Sequence, residues 1–352
     1  MHFNLIFVIS ATILLLISPP LAARTDRRGG LIRNLSVATW GMTLFLGAAA
    51  LFPIFSWNVY GAALMFLLGI MFYQLSFVFY NPLLNDLADE THRARASGWG
   101  QFANATGMIF GLVLFAPLQR TGVGALFPSV IAFLLLALPI MLLYREDKKV
   151  ATDTTDIFEK INIKKLVKLF SVPGVAAALL SYNFFNDASK TMSTNLSIYT
   201  KQVFDATENM TILMIVLVLI MTALGGVIGG MLGDRIGHRQ ALFISLGAYG
   251  LLFPMFAFTG TFGSAIMVTI VMGFFLGTFY ATSHAYASTV IPKKDLALGF
   301  SFYSIFERFS VTGPLTWGLV IAGTGSYRLA MAAMTFFVLL GTAAMFIRRD
   351  SR

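Results

Sequence analysis

Eleven stretches of this chain run for about 18 residues or more with almost no charge, and this limits the fold more than any motif does. They lie near 3–21, 35–55, 57–80, 97–118, 123–144, 170–195, 210–232, 240–259, 263–285, 297–322 and 329–347; only the sixth and tenth contain Asp, Glu, Lys or Arg. A helix needs about 20 residues to cross roughly 30 Å of hydrocarbon. Only helices and closed barrels satisfy every backbone hydrogen bond in lipid, and these runs are continuously apolar rather than alternating with period two, which selects helices. With 57% of residues hydrophobic and 12% charged, a soluble globule is excluded.

The formal charge of +9 does not mark a nucleic-acid binder, because the basic residues sit between spans and on alternate sides. With the connections assigned alternately to two faces, one face carries all but five of the 25 Lys and Arg. The exceptions are Arg120, Lys190, Lys201 and Arg328 on the other face and Arg308 inside a span. By the positive-inside rule the rich face, which includes the C-terminal tail, is expected to be cytoplasmic. Residues 1–23 read as a span rather than a cleaved leader, since "MHFN" has no basic residue and the basic cluster follows the apolar run. The chain has no Cys, which removes disulfides, thiol catalysis and thiolate metal sites.

Two loops echo each other about six spans apart: Asp26-Arg27-Arg28-Gly29 and Asp234-Arg235-Ile236-Gly237. "ARASGWGQF" (94–102) and "DLALGFSFY" (295–303) form a weaker pair at the same spacing. Such spacing is what two parallel repeats produce. The charged stretch 144–170 separates them, and within it one face carries Ile157, Phe158, Ile161 and Leu166 and the other Lys160, Lys164, Lys165 and Lys168, the pattern of a helix lying in the headgroup plane. The expected organisation is an N-terminal bundle of five spans (1–145), a cytoplasmic linker with an amphipathic helix (146–169) and a C-terminal bundle of six spans (170–352).

In "GGMLGDRIGHRQ" (229–240), a charged Gly turn interrupts two apolar runs. Gly225, Gly226, Gly229, Gly230 and Gly233 follow small-xxx-small spacing, so this span is expected to press against a neighbour. Asp234 then stands at the membrane surface, where the N-terminus of another helix favours a carboxylate. The expected helix starts are "SGWG" (97–100) for Asp234 and "LGFS" (298–301) for Asp26.

"GGMLGDRIGHR" resembles the loop motif of the major facilitator superfamily. The resemblance implies an all-α integral membrane, two-bundle fold with about 11 transmembrane helices, the family's twelve minus the first, and a conformational latch built from Asp26, Arg27, Asp234, Arg235 and Gly237. "FYNPLLNDLAD" (79–89), "RASGWGQFANATG" (95–107), "LSYNFFNDASKTM" (180–192), "STVIPKKDLALGFSFY" (288–303) and "GPLTWG" (313–318) are similar to the vacuole effluxer branch of that family, linked to amino-acid efflux. His284 stands where members of that branch tend to carry Arg.

Ionisable groups inside spans cost about 2.5–3.5 kcal/mol each on insertion scales, so they need partners or water and often a task. Asn183, Asn186, Asp187, Lys190, Thr191 and Thr194 recur at spacings of three and four, one polar helical face that belongs on a cavity. Glu307 and Arg308 point about 100° apart and cannot satisfy each other. Glu307 is a candidate for proton exchange. Gln101 and Asn104 on the fourth span, and Tyr80 and Asn81 at the end of the third, complete the candidate pathway. His284 has no second His nearby in sequence, so no metal site is expected, and no cofactor.

The expected activity is secondary transport of small polar solutes by alternating access, with the lipid bilayer, a small-molecule substrate and protons as partners, in a monomer in the cell membrane. No phosphate-binding loop points to ATP. The alternatives are a transporter-derived sensor or inactive paralogue, and a multi-pass enzyme, for which "NDLADETH" (85–92) is the one weak candidate.

Overall fold

The structure, a computed structural model, describes residues 13–14, 16–25, 28–54, 59–83, 88–89, 91–115, 126–143, 168–172, 174–296, 298–300, 302–303 and 312–347, with backbone only at 52–54, 59, 112–115, 126–129 and 140. Residues 16–25 are helical, and among the described residues ten further α-helices of 13 residues or more follow. They are α1 (Leu31–Ile54), α2 (Val59–Tyr80), α3 (Arg93–Phe115), α4 (Leu126–Leu143), α5 (Val175–Phe204), α6 (Glu208–Ile236), α7 (His238–Ala257), α8 (Phe262–Val290), α9 (Thr312–Thr324) and α10 (Tyr327–Ala344). No strand occurs among the described residues, and the all-helical membrane fold read from the sequence stands. Six described helices, α1, α2, α6, α7, α8 and α10, are long and apolar enough to cross a bilayer. Bulky side chains such as Leu136 and Leu143 on α4 and Leu319 on α9 are largely exposed, the arrangement a lipid solvent permits.

Several helices overrun the apolar stretches that announce them. α3 begins at Arg93 rather than 97, α5 continues to Phe204 rather than 195, and α8 reaches Val290 rather than 285. An uncharged run marks the part of a helix immersed in hydrocarbon, and the backbone goes on into the headgroup layer, where charge costs little. The linker helix expected within 146–169 falls almost entirely on 144–167, outside the described residues.

The chain divides into two compact units. The first comprises residues 1–83, 110–166 and 292–305. Its core joins Ala22, Leu31, Leu35 and Ala38 to Val78, Phe79 and Leu83, and farther along α1 Met42 and Leu46 meet Val130 of α4. α1 and α2 interlock at two glycines: a Cβ on Gly41 would lie 2.5 Å from the Phe72 ring, and one on Gly69 2.5 Å from Leu46.

The second unit comprises residues 84–109, 167–291 and 306–352. At one end its helices start with short polar caps: Thr207 Oγ1 accepts from the Met210 amide, Thr261 and Ser264 form a reciprocal capping box, and Ser326 Oγ accepts from the Leu329 amide. At the opposite end a single residue, Gly237 at φ 96°, separates α6 from α7, a backbone angle that a side chain would strain.

α6 is the packing centre of this unit because glycines line two of its faces. Toward α8, a Cβ on Gly225 would fall 1.9 Å from the Phe274 carbonyl oxygen and one on Gly229 2.3 Å from Thr278 Oγ1. Thr278 Oγ1 donates to the Gly225 carbonyl at 3.0 Å across that seam. Toward α3, a Cβ on Gly230 would fall 2.3 Å from the Ala94 carbonyl oxygen, and one on Gly98 2.1 Å from that of Gly226. The sequence predicts one close neighbour for these glycines, and the structure supplies two.

Candidate functional site

The polar row on α5 folds as one continuous helix because nothing in 175–204 breaks it, and its helical spacing sets the buried members against neighbouring helices. Asn186, Asp187 and Thr191 are almost fully buried, Asn183 and Lys190 are half-buried, and Thr194 is exposed. On one flank Asn186 Oδ1 accepts from the Tyr280 hydroxyl of α8 at 3.4 Å, and that hydroxyl also lies 3.4 Å from Ser189 Oγ. Aromatic rings surround this contact: Phe185 stacks on Phe279 with centroids 3.6 Å apart, and Tyr182 meets the His284 ring edge to face at 6.3 Å.

On the other flank the Asp187 carboxylate, 1% exposed, is taken by α9. Thr312 Oγ1 donates to Asp187 Oδ2, and the Gly313 amide donates to Oδ1 at 3.4 Å. Thr191 Oγ1 donates to the Asp187 carbonyl at 2.6 Å. A Cβ at Gly313 would lie 2.3 Å from Thr191 Oγ1 and 2.6 Å from the Asp187 carbonyl oxygen, so α5 and α9 touch backbone to backbone here. Farther along α9, Trp317 is 5% exposed, its ring 6.3 Å from that of Tyr199.

A second cluster occupies the end of the unit where α6 turns into α7. Asp234 Oδ1 accepts the Ala94 amide at 3.0 Å and Oδ2 the Arg95 amide at 3.1 Å. These are early amides of α3, whose first turn has no intrahelical acceptor for them, and they lie at the positive end of the helix dipole. The sequence places this contact at 97–100; it falls earlier because α3 itself starts earlier. Asp234 Oδ1 also lies 3.4 Å from His238 Nε2, and Arg95 Nε 3.8 Å from Oδ2. The basic groups nearby complete the pattern at helix C-termini: Arg93 Nη1 donates to the Ser288 carbonyl at 3.5 Å in the last turn of α8, and Arg239 Nη2 to the Met345 carbonyl at 2.8 Å just beyond α10. Arg235 is exposed.

Of the other sequence candidates, Gln101 faces α6, its Cβ 2.9 Å from where a Cβ on Gly226 would stand, while Asn104 is exposed. Tyr80 is half exposed, and Asn81 is buried in a 3-10 turn in the first unit. Asp26, Arg27, Glu307 and Arg308 lie outside the described residues. Sequence reasoning missed Thr312, Gly313 and Tyr280; "TGPLTWG" and "TFYATS" carry small polar residues in apolar context, a signal that names no partner. Among the described residues no three His, Asp or Glu side chains gather as metal ligands.

Apolar membrane-length helices enclosing a hydrogen-bonded carboxylate, with an acid clasping a helix end at the surface, define a multi-span helical membrane protein. The chain belongs to the Major Facilitator Superfamily, a family of membrane transporters, whose profile matches residues 2–207 and 179–352. An uncharacterized protein of Aquifex aeolicus (strain VF5) is 26% identical over 303 residues, 85% of this chain and 75% of that one. Among solved structures, the E. coli fucose:proton symporter aligns over 99% of this chain and 95% of its own with a TM-score of 0.75 and 16% identity. A bacterial homologue of the iron transporter ferroportin in an outward-facing state aligns over 97% and 88% (TM-score 0.75, 16% identity), and the human organic anion transporter TETRAN over 97% and 83% (TM-score 0.74, 14% identity). At these identities the likeness is one of fold.

Proposed function

We propose that the chain is a secondary active transporter of small polar solutes working by alternating access, with amino acids leaving a compartment as its substrate class and protons as its coupling ion. The observation that supports this most is the buried Asn186–Asp187 pair on α5, hydrogen-bonded on one flank to Tyr280 and on the other to Thr312 and Gly313. A carboxylate at 1% exposure inside membrane-length helices is costly to keep without a task. The reading assigns the solute pathway to Asn183, Asn186, Asp187, Lys190, Gln101, Asn104, Tyr80, Asn81, Glu307 and Arg308. It assigns the latch to Asp234, Arg235 and Gly237 with their counterparts Asp26 and Arg27.

In this reading residues 1–145 and 170–352 are the two halves that rock about the solute, joined by the linker 146–169, and the basic connections and C-terminus face the cytoplasm of the cell. The amino-acid assignment follows from the resemblance to the vacuole effluxer branch. The test is flux of radiolabelled amino acids into proteoliposomes holding the purified protein, with and without a pH gradient. Saturable flux above that of empty liposomes, stimulated by the gradient, supports the reading. Flux equal to that of empty liposomes, for amino acids and other small polar solutes under every gradient, overturns it in favour of a sensor.

A further inference from the structure

We infer that Asp187 is where the coupling proton binds, and that its binding releases α9 from α5 at Thr312 and Gly313. The inference rests on the transporter reading for its place in a cycle, but its geometry stands apart from any substrate.

Among the described residues α9 meets α5 at the Asp187 carboxylate and at the Trp317–Tyr199 ring contact. Between and beyond them its apolar side chains are largely open, Leu315 at 60% and Leu319 at 72% exposed. The first fastening depends on charge. Both carboxylate oxygens act as acceptors there, and the Gly313 amide can only donate. When a proton from the bulk solution joins Oδ2, the Thr312 hydroxyl turns from donor to acceptor, and the bonds to Thr312 and Gly313 fall from the charge-assisted to the neutral class, about half as strong. The neutral acid therefore holds α9 less strongly than the carboxylate does. A Cβ at Gly313 would collide with Asp187 and Thr191, so the two helices meet here with Gly313 adding no side chain to the contact.

α9 itself carries no acidic, basic or histidine side chain. Tyr280 and His284 come from α8, on the Asn186 and Tyr182 flank. Arg328 of α10 is spent on the Ala257 and Thr259 carbonyls, and Asp234 of α6 on the amides of α3. On α5 Lys190 follows Asp187 by three residues, and Glu307 and Arg308, just before Thr312 in sequence, lie outside the described residues.

The test uses Trp317 as the reporter in the full chain, with Trp40, Trp57 and Trp99 replaced by Phe, in detergent and without substrate. Emission is followed from about pH 9 to about pH 4, a range that brackets ordinary and strongly raised carboxyl values. The expected result is a red shift along one sigmoid on acidification in the parent, loss of that shift in Asp187→Asn, and the red-shifted spectrum at every pH in Thr312→Val. A flat parent titration, a shift that survives in Asp187→Asn, or a Thr312→Val protein that titrates like the parent overturns the inference. In proteoliposomes Asp187→Asn is expected to lose pH-gradient-driven uptake; gradient-driven uptake at parental rates overturns the inference too. A parent that titrates as expected yet moves no solute leaves the proton site standing and removes the transporter reading instead.

Discussion

Asp234 Oδ2 stands 3.1 Å from the Arg95 backbone amide and 3.8 Å from Nε of the same residue, so the acid addresses the helix start first and its side chain second. The Arg95 side chain is 45% exposed against 4% for that of Asp234, and a pair so open to water adds little. The energy resides in the two amide bonds to a charged acceptor. Asp234→Asn keeps one acceptor and loses the charge, a change of roughly 1–3 kcal/mol. It is therefore expected to shift the balance between clasped and unclasped forms by about 5- to 150-fold. The chain has no native Cys, so Ser97→Cys, at a site 8% exposed beside the clasp, reports the shift as faster maleimide labelling. Equal labelling rates with and without Asp234→Asn would show that the amides are satisfied some other way.

Two glycines on one helix separate close approach from mere flexibility. A Cβ on Gly98 would sit 2.1 Å from the Gly226 carbonyl oxygen, whereas one on Gly100, two residues later and so on the opposite side of the helix, meets nothing within 4 Å. Gly100→Ala is expected to stabilise the protein by about 0.5–1 kcal/mol through helix propensity alone. Gly98→Ala is expected to push α3 off α6, lowering the melting temperature and speeding Ser97→Cys labelling in the same way as Asp234→Asn. Opposite signs in a thermal shift measurement are the outcome that bears this out; two parallel stabilisations would mean that the seam tolerates a methyl group.

How much of this was legible beforehand differs from residue to residue. The helical membrane fold follows from uncharged runs alone, since lipid leaves the backbone no other solution for them. The glycine row in 225–233 and the acid at 234 are visible as spacing, and the surface position of Asp234 follows from where the run ends. What spacing does not contain is a partner. Ala94 lies 140 residues from Asp234 and Thr312 lies 125 from Asp187, and nothing in either local pattern names the other. The start of α3 is misread at 97 for a related reason: Arg93 and Arg95 interrupt an apolar run without interrupting a helix, because Arg93 has the Ser288 carbonyl to bind.

Arg328 ties three helices at the other end of the second unit. Its Nη1 donates to the Ala257 carbonyl at 2.9 Å and the Thr259 carbonyl at 2.6 Å, and its guanidinium lies 5.4 Å from the centre of the Phe204 ring. Tyr199 Oη donates to the same Ala257 carbonyl at 3.1 Å, so the end of α7 is held by two side chains. Arg328→Ala is expected to cost about 1.5–3 kcal/mol, the range for hydrogen bonds that involve a charged group. Arg328→Lys should recover less than half of it, because a compact ammonium cannot bridge two carbonyls and stack on a ring at once. Thermal unfolding of the three proteins in one detergent checks this, and a Lys variant equal to the parent would reduce the site to a point charge.

Asp205 closes α5 in a left-handed conformation at φ 50°, which Asp tolerates better than most residues and Gly adopts without strain. Its carboxyl is held below the usual carboxylate range by the hydrogen bond from Lys201 and by that residue's charge. For an acid whose value is lowered on folding, the contribution is present above the unfolded value of about 3.9 and disappears as pH falls through the folded one. The pair is exposed on both sides, so salt screens it. The parent's margin over Lys201→Met should therefore be small and constant between neutral pH and about pH 5, and should disappear as pH falls below the carboxylate range. Asp205→Gly should match or exceed the parent, since it removes backbone strain and only a screened ion pair, while Asp205→Val, β-branched at a positive φ, should fall below both. A drop for the Gly variant as large as that for Val would mean that the ion pair, rather than the backbone angle, is what ends this helix.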